Sequence, residues 1–572
     1  MIRSMRSKKM GYGVTIPRSR SKNVRRFLRS PLTVVLSVGM VGIAFMAVGP
    51  GYVQVQAQNR MSFSRVSQNG GHVALGLALR KLSVSGTFLQ APAHPDDETN
   101  PLFAMFGYGM GLRVIDLQNN RGDGGQNEIG PELFRDIAVL RTSELLSAHR
   151  IDGAEQYFTR AIDYGYSFDP EEVIGKWGRK DIVGDYVRLL RTLRPDVVVT
   201  MNIQGRGGDR AHEATTVLFR ESFRAADDPS MYPEQMQQGL RPWQPKKLYF
   251  AGGQGVVGGP GGAAPAMAPP AAPADGPKLT PANTGMYDAL LGRTYAEIGA
   301  DARSNHKCQG TGGVPAIAGL PGGRGGGGGG RGGPGGGRGY ALMDTTIAGQ
   351  MGKEETSMFD GIDISLTALA AYAGPNPPAA LMAGLASILG AAKLAQNLFA
   401  GGNDAATAAP VAAGLAALRA LRAQLPSMGL SDAARYEIEF RLKIKERDYE
   451  DAVLAAHDLA FDAVADDGLV ISGQPIRLAL LATNHGARDV TVTGSILQAS
   501  THRLRARRAR RQRIPRTTAP RKLTSPRTPS RPRRTSATTI GNIRKIRRSR
   551  SSIRMCRSAF RSPRRRSASP SI

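Results

Sequence analysis

The chain has 572 residues, enough for two or three domains, and a formal net charge of +30. Residues 1–31 carry ten Lys or Arg and residues 501–572 carry 25, with no acid in either range, so residues 32–500 have a net charge of −5. This acidic middle argues against a nucleic-acid-binding protein. The two cysteines, Cys308 and Cys556, are too few for a disulfide framework or a thiolate zinc site.

The N-terminus is typical of an export signal. A basic stretch with Arg25 and Arg26 precedes the apolar run of residues 31–49, and small residues lead to Ala57. We expect residues 1–57 to be a signal peptide, exported by the general route or, through the arginine pair, by the twin-arginine route. An uncleaved anchor of about 19 apolar residues is the alternative. Either way, the body would be secreted or lie in a bacterial periplasm or cell envelope, and only this segment would meet a membrane.

Strand and helix patterns alternate from about residue 82 to residue 251. Apolar runs predict strands at residues 85–92, 112–118, 155–159, 196–202 and 246–252. Helical periodicity predicts helices at residues 131–149, 179–194 and 212–225. The alternation predicts a Rossmann-like, doubly wound α/β fold with a mainly parallel sheet, which binds ligands at the carboxyl ends of its strands.

The remaining elements divide the chain further. Gly/Pro-rich runs at about 252–279 and 310–339 predict disordered insertions within one domain, residues 58–374. Residues 375–466 are rich in Ala and Leu and predict a helical region, in the form of a helical hairpin. Residues 467–500 alternate like the start of a β-sandwich, which is then truncated.

Residues 501–572 form a basic, low-complexity stretch that we expect to be disordered. One interpretation is a basic arm for nucleic acid or another anionic surface. The other is a frameshifted product of a GC-rich gene, and the abrupt change of pattern favours it. No nucleic-acid partner is therefore expected.

A histidine and three acids follow the first predicted strand. His94 and Asp97 are three residues apart, so a turn brings them to one point, and Asp96 can face whatever that point binds. Zinc accepts both residue types, and a catalytic zinc site takes three protein ligands. His212, after the strand at 196–202, is the candidate third ligand, because ends of neighbouring strands meet. The alternative is that these residues only cap helices.

Four blocks carry a resemblance to a known family: "AHPDDE" (93–98), "RGDGGQNEIG" (121–130), "RTSELLSAHRIDGAEQYF" (141–158) and "RPDVVV" (194–199). Together they resemble the PIG-L/LmbE family of zinc-dependent N-acetyl-sugar deacetylases, especially its larger exported bacterial members. The resemblance covers residues 82–251 and, more loosely, continues to residue 374. It implies one Zn²⁺ per chain and removal of acetyl from an N-acetylated sugar, a glycoconjugate or a related amide.

The resemblance also implies roles for single residues. His94, Asp97 and His212 would be the zinc ligands, and Asp96 would be the general base that takes a proton from metal-activated water.

Residues of the next two blocks are expected to bind substrate. Arg121, Asp123 and Arg141 would contact it, and Glu144 would orient Arg141. The alternative for the Arg141–Glu144 pair is a surface salt bridge one helical turn long.

One position departs from the family pattern. Where the family often has His-Pro-Asp-His, this chain has Asp209-Arg210-Ala211-His212, so Asp209 replaces the histidine that acts as general acid. Asp96 could serve as both base and acid, His306 in "SNHKCQG" could supply the acid, or the enzyme could be inactive. The alternative function is thus a non-catalytic carbohydrate-binding or cell-surface protein that retains the fold.

Overall fold

The computed structural model describes residues 70–201, 209–252, 278–310, 338–468, 478–486 and 489–492, with short strands between residues 497 and 522. The predicted signal peptide, nearly all of the two Gly/Pro-rich insertions and most of the basic tail lie outside the described residues, and those predictions stay predictions.

The centre of the fold is a mixed β-sheet. The strands up to residue 345 are β1 (Thr87–Ala91), β2 (Arg113–Gln118), β3 (Glu155–Phe158), β4 (Val197–Thr200), β5 (Lys247–Gly252), β6 (Leu279–Ala282), β7 (Tyr287–Asp288), β8 (Arg293–Thr294) and β9 (Arg338–Thr345). The sheet has the order β3-β2-β1-β4-β5-β9-β6, while β7 and β8 pair separately. β1 to β5 run parallel, and β9 is antiparallel to both β5 and β6. The predicted α/β class with a mainly parallel sheet is confirmed, and each predicted strand end is correct to within two residues.

Helices cover both faces of this sheet. They are α1 (Gly71–Lys81), α2 (Asn100–Ala104), α3 (Arg135–Asp152), α4 (Pro170–Trp177), α5 (Arg179–Leu193), α6 (Ala211–Ala225), α7 (Pro233–Gln237), α8 (Tyr295–Arg303), α9 (Ala379–Ala400), α10 (Ala408–Gln424) and α11 (Asp432–Ala456). Successive strand residues point to opposite faces. Leu89 therefore packs in one apolar cluster with α5 and α6, and Phe88 in another with α2 and α8. Because the central strands are apolar on both faces, helices cover both faces, and the sheet is doubly wound.

The region after residue 375 differs from the predicted hairpin. It contains three helices, α9 to α11, which share an apolar core with α1. α9 is long and apolar enough to cross a membrane, but Leu381, Leu385 and Ile388 on one side of it are fully buried in that core. α11 also contacts the sheet domain: Arg441 forms a buried ion pair of 3.2 Å with Asp196, just before β4. The helices are thus packed against the α/β unit.

Strands follow α11 earlier than predicted. They are β10 (Leu459–Ala465), β11 (Leu478–Asn484), β12 (Val490–Val492), β13 (Leu497–Ala499), β14 (His502–Leu504), β15 (Gln512–Ile514) and β16 (Arg521–Lys522). β10 lies in the range predicted as helical, because Asp458 takes a positive φ of +50° after α11 and the next residues pair with β11. β14, β15 and β16 lie in the range predicted as tail and pair with β13, β12 and β11. The truncated β-sandwich at residues 467–500 and the disorder of the tail stay predictions.

Candidate metal centre

The predicted metal ligands follow two strands that are neighbours in the sheet. β1 pairs with β4, and Ala91 at the end of β1 lies opposite Thr200 at the end of β4. His94 lies in the turn after β1, and His212 lies in the first turn of α6, after β4. The adjacency that the doubly wound topology predicts is therefore present, and the two loops meet at the carboxyl edge of the sheet.

Three side-chain atoms of these loops form a triangle. His94 Nδ1, Asp97 Oδ2 and His212 Nε2 are each 3.2 Å from the other two. The backbone N–H of His94 also donates to Asp97 Oδ2 at 2.9 Å, which fixes the turn. Tetrahedral zinc with bonds of about 2.0–2.1 Å places its ligand atoms about 3.3 Å apart. Both the donor types and their spacing fit a zinc ion.

The carboxylates and imidazoles at this triangle shift one another's pKa values. Burial acts to lower the pKa of His94, but nearby carboxylates, Asp163 first and then Asp97, raise it to about 9. Burial acts to lower the pKa of His212 as well, but the charge and the hydrogen bond of Asp97, together with the charge of Asp209, raise that pKa above its usual value. Burial opposes ionisation of Asp97, yet the two histidines hold its pKa well below its usual value. The pocket therefore favours positive charge, either as protons on the histidines or as a cation that displaces them.

Asp96 lies on the same turn, with its carboxylate between two arginines. Arg141 Nη2 lies 3.4 Å from Oδ1, and Arg303 Nη2 donates to Oδ2 at 3.1 Å. Burial, followed by the charge of Asp97, raises the pKa of Asp96 to about 6, against the opposing effect of the arginines. A carboxyl group with this pKa can both accept and return a proton near neutral pH.

The predicted acid His306 is not in the pocket. Its side chain is fully enclosed, and its Nε2 lies 2.6 Å from Oε1 of the buried Glu98. Burial opposes ionisation of Glu98, but His306 holds the pKa of this carboxyl well below its usual range. The structure therefore does not support direct proton donation by His306 to a substrate, because a substrate has no access to the imidazole.

Arg141 and Glu144 do not pair as predicted. Arg141 is 1% exposed and donates to the carbonyl oxygens of Pro95 (2.6 Å) and Gly125 (3.3 Å). Glu144 Oε1 instead accepts the backbone N–H of Cys308 at 2.9 Å. The alternative prediction of a surface salt bridge between Arg141 and Glu144 is thus wrong. The contacts of Glu144 do not support its predicted role of orienting Arg141 either.

The loop after β2 supplies Arg121 and Asp123. The Arg121 guanidinium lies 3.7 Å above the ring of Phe158 and donates to Thr142 Oγ1 at 3.1 Å. Asp123 is buried, and burial raises the pKa of its carboxyl, with the charge of Asp163 adding to the shift. Both residues follow β2 at the ligand-binding edge, and their contact with a substrate stays a prediction.

Two further aspartates flank His94. Asp209 Oδ1 accepts the N–H groups of Ser167 (3.2 Å) and Ala211 (3.0 Å), while its Oδ2 lies 3.8 Å from His94 Nε2. Asp163 Oδ2 lies 4.0 Å from the same nitrogen. Asp209 therefore lies beside the candidate metal ligands, with one of its oxygens occupied at the start of α6, and a catalytic role for it stays a prediction.

Three residues of the site are not among those predicted from the sequence: Glu98, Asp163 and Arg303. Asp163 follows β3, so a search for acids after every predicted strand finds it. Glu98 belongs to the motif "AHPDDE", but its partner His306 is 208 positions away. No local signal distinguishes Arg303 from the other arginines of the chain.

Comparison with known proteins gives three findings. The family model described as PIG-L, GlcNAc-PI de-N-acetylase, matches residues 89–223. Mycothiol S-conjugate amidase from Streptomyces coelicolor is 28% identical over 172 residues, which cover 28% of this chain and 58% of the amidase, less than two thirds of its length. Among solved structures, N,N'-diacetylchitobiose deacetylase from Pyrococcus horikoshii aligns with 20% identity and a TM-score of 0.25, covering 29% of this chain and 60% of the deacetylase. The triangle and Asp96 lie inside the matched range, and Arg303 and His306 lie outside it.

Proposed function

We propose that the protein is a zinc-dependent amidohydrolase that removes acetyl from an N-acetylated sugar or a related sugar amide. The match of the PIG-L family model to residues 89–223 supports this proposal. The observation that carries the proposal is the triangle of His94 Nδ1, Asp97 Oδ2 and His212 Nε2, with the carboxylate of Asp96 on the same turn. The family description and the name of the amidase relative support an amide as the bond that is cleaved.

The three ligand side chains would hold one zinc ion. When bound, it would supply a Lewis acid for the acyl carbonyl and would lower the pKa of a water molecule. Asp96 would take the proton of the attacking water molecule as the water oxygen adds to the acyl carbonyl carbon. Its side chain is 16% exposed, and each carboxylate oxygen can accept a hydrogen bond beyond its arginine contact.

Asp96 is also our candidate for the acid. When the C–N bond breaks, the leaving nitrogen needs one proton, and Asp96 holds the proton taken from water. His306 is enclosed, and Asp209 uses one oxygen to accept backbone N–H groups. The products are then acetate and the free amine of the sugar.

A non-catalytic carbohydrate-binding protein is the second candidate. The observation that favours it is Asp209, a carboxylate at the position where the family pattern has a histidine acid. This candidate keeps the fold, the metal and a sugar ligand but lacks turnover.

We also propose that the protein acts outside the cytoplasm, because a basic stretch and an apolar run precede Ala57. Expression of the full chain in a bacterial host, followed by cell fractionation and N-terminal sequencing, tests this. A mature N-terminus at Gln58 supports cleaved export, and a full-length cytoplasmic product contradicts export.

The central experiment measures bound zinc and released acetate on the purified protein. We expect about one equivalent of zinc and acetate release from a panel of N-acetylglucosamine derivatives. His94→Ala/His212→Ala should lose both, whereas His485→Ala, a partly exposed histidine after β11, should keep both. Absence of zinc from the unaltered protein would refute the metal centre. Bound zinc without acetate release from any compound would favour the non-catalytic candidate.

A further inference from the structure

Each of the four polar atoms of Asp96 has a partner. Its N–H donates to Glu98 Oε2 at 2.8 Å, and its carbonyl oxygen accepts a hydrogen bond from Nη1 of Arg303. Arg303 Nη2 donates to Oδ2 at 3.1 Å, and Arg141 Nη2 lies 3.4 Å from Oδ1. One guanidinium, that of Arg303, thus links the backbone and the side chain of the same residue.

The backbone of Asp96 requires such support. Its φ is +101°, a conformation that residues with a side chain rarely adopt. A strained residue persists only where its surroundings over-determine its conformation, and such residues concentrate at functional sites. Glu98 holds the N–H of Asp96 and Arg303 holds its carbonyl oxygen, so the peptide groups on both sides of Asp96 are fixed.

Glu98 is itself held rigidly. It is 3% exposed, and Oε1 lies 2.6 Å from His306 Nε2. Asn100 donates to the same oxygen at 3.1 Å, and Gln118 donates to Oε2 at 3.1 Å. The N–H of Asp96 is therefore bound to a carboxylate whose position is set by buried partners.

Arg303 and His306 come from one segment, residues 295–309, which contains α8. This segment packs closely against α2, because a β-carbon at Gly299 would overlap the ring of Pro101. The two helices are thus in direct contact, and α8 presents Arg303 and His306 to the turn after β1. The segment lies beyond residue 223, where the family match ends.

We propose that Arg303 is a positioning residue for Asp96, assisted by the Glu98–His306 pair, and that the catalytic unit therefore extends to these two side chains of the segment, Arg303 and His306. The catalytic part of this inference rests on the proposed function. Arginine suits the role because its planar fork can donate to two oxygens at once. A lysine at this position could reach only one of them at full strength.

Kinetics test the catalytic consequence. Arg303→Ala should lower kcat for acetate release by roughly ten- to a hundredfold, the effect of a small misplacement of a catalytic group, with KM nearly unchanged. Arg303→Lys should recover part of the loss, and bound zinc should stay near one equivalent in both variants. Lys307→Ala is the matched control, because Lys307 is an exposed cation on the same segment. Unchanged kcat in Arg303→Ala, or loss of zinc together with activity, would overturn the proposal.

Hydrogen–deuterium exchange tests the positioning without any turnover. The amide of Asp96 lies in a peptide covering residues 92–100, and its exchange should accelerate in Arg303→Ala but not in Lys307→Ala. Unchanged exchange in this peptide would overturn the proposal even if kcat fell, because Arg303 would then act in another way. If the unaltered protein binds zinc but releases no acetate, the proposed function fails, and exchange alone decides whether Arg303 holds the turn.

Discussion

Gly122→Ala should damage the site without removing any polar group. Gly122 has a φ of +71° and lies against the guanidinium of Arg141, so a β-carbon there would lie 2.5 Å from Cζ and 2.7 Å from Nε. Arg141 is 1% exposed and has no room to move aside while keeping its 2.6 Å bond to the carbonyl oxygen of Pro95 and its contact with Asp96. The substitution therefore displaces Arg141.

The expected loss of unfolding free energy in Gly122→Ala has two parts. A residue with a side chain in the left-handed region loses about 1–2 kcal/mol of stability. Loss of the charged hydrogen bond between Arg141 and Pro95 adds about 1.5–3 kcal/mol. Gly349→Ala isolates the first part, because Gly349 has a φ of +69° and a β-carbon added there would have no atom within 4 Å.

Calorimetry of both variants separates the two parts. An excess loss of about 2 kcal/mol in Gly122→Ala corresponds to a midpoint about 3 °C below that of Gly349→Ala, at about 2.1 cal/mol/K of unfolding entropy per residue. Acetate release should fall only in Gly122→Ala, since Asp96 loses one of its two arginines. Equal midpoints and equal activities in the two variants would refute the reasoning, because they would show that Arg141 moves aside at no cost.

Three further predictions concern single side chains. Asp96→Asn should keep one equivalent of zinc but lower kcat by about 10²–10⁴-fold, since an amide cannot accept the proton; zinc analysis with the acetate assay checks this. Burial acts to lower the pKa of His149, but its two aspartate neighbours hold that pKa well above 6.5. Protonated His149 therefore contributes its full stabilisation below pH 6.5 and loses it as pH rises through the pKa of the folded state. Over that range, the Tm of the unaltered protein should fall more steeply with pH than the Tm of His149→Gln. Parallel curves of Tm against pH for the two proteins would contradict this. Arg441→Ala should lower the free energy of unfolding by about 3 kcal/mol, because it breaks the buried ion pair with Asp196 while a lysine remains beside that carboxylate. Arg435→Ala, which breaks an exposed ion pair, should lower it by under about 1 kcal/mol. Equal losses of the two variants in calorimetry would contradict this difference.

The parallel sheet is predictable from sequence because its strands are buried on both faces. Val197, Val198 and Val199 are all fully buried, and such a continuous apolar run is a local signal. Prediction fails where long-range pairing decides the structure. Residues 459–465 continue a helical pattern in sequence, yet they form β10 because they pair with β11.

The metal centre is predictable for a topological reason. His94 and His212 each follow a strand end, and parallel strands that are neighbours bring such ends together. The support of Asp96 is not predictable in this way. Arg303 is 207 positions from Asp96, and only the packing of α8 on α2 determines which arginine reaches the turn. Ligand types can be inferred from local spacing, whereas positioning partners depend on the tertiary fold.

The three consecutive acids after Pro95 illustrate how that fold makes local crowding tolerable. Each carboxylate has its own basic partners: two histidines for Asp97, two arginines for Asp96 and the imidazole of His306 for Glu98. These partners come from the turn itself, α3, α6, α8 and the residues just after α8. Where histidines are the partners, the pKa of the carboxyl is lowered, and the acid stays ionised. Only Asp96 has a raised pKa, near 6, so of the three acids it alone is suited to exchange a proton with substrate.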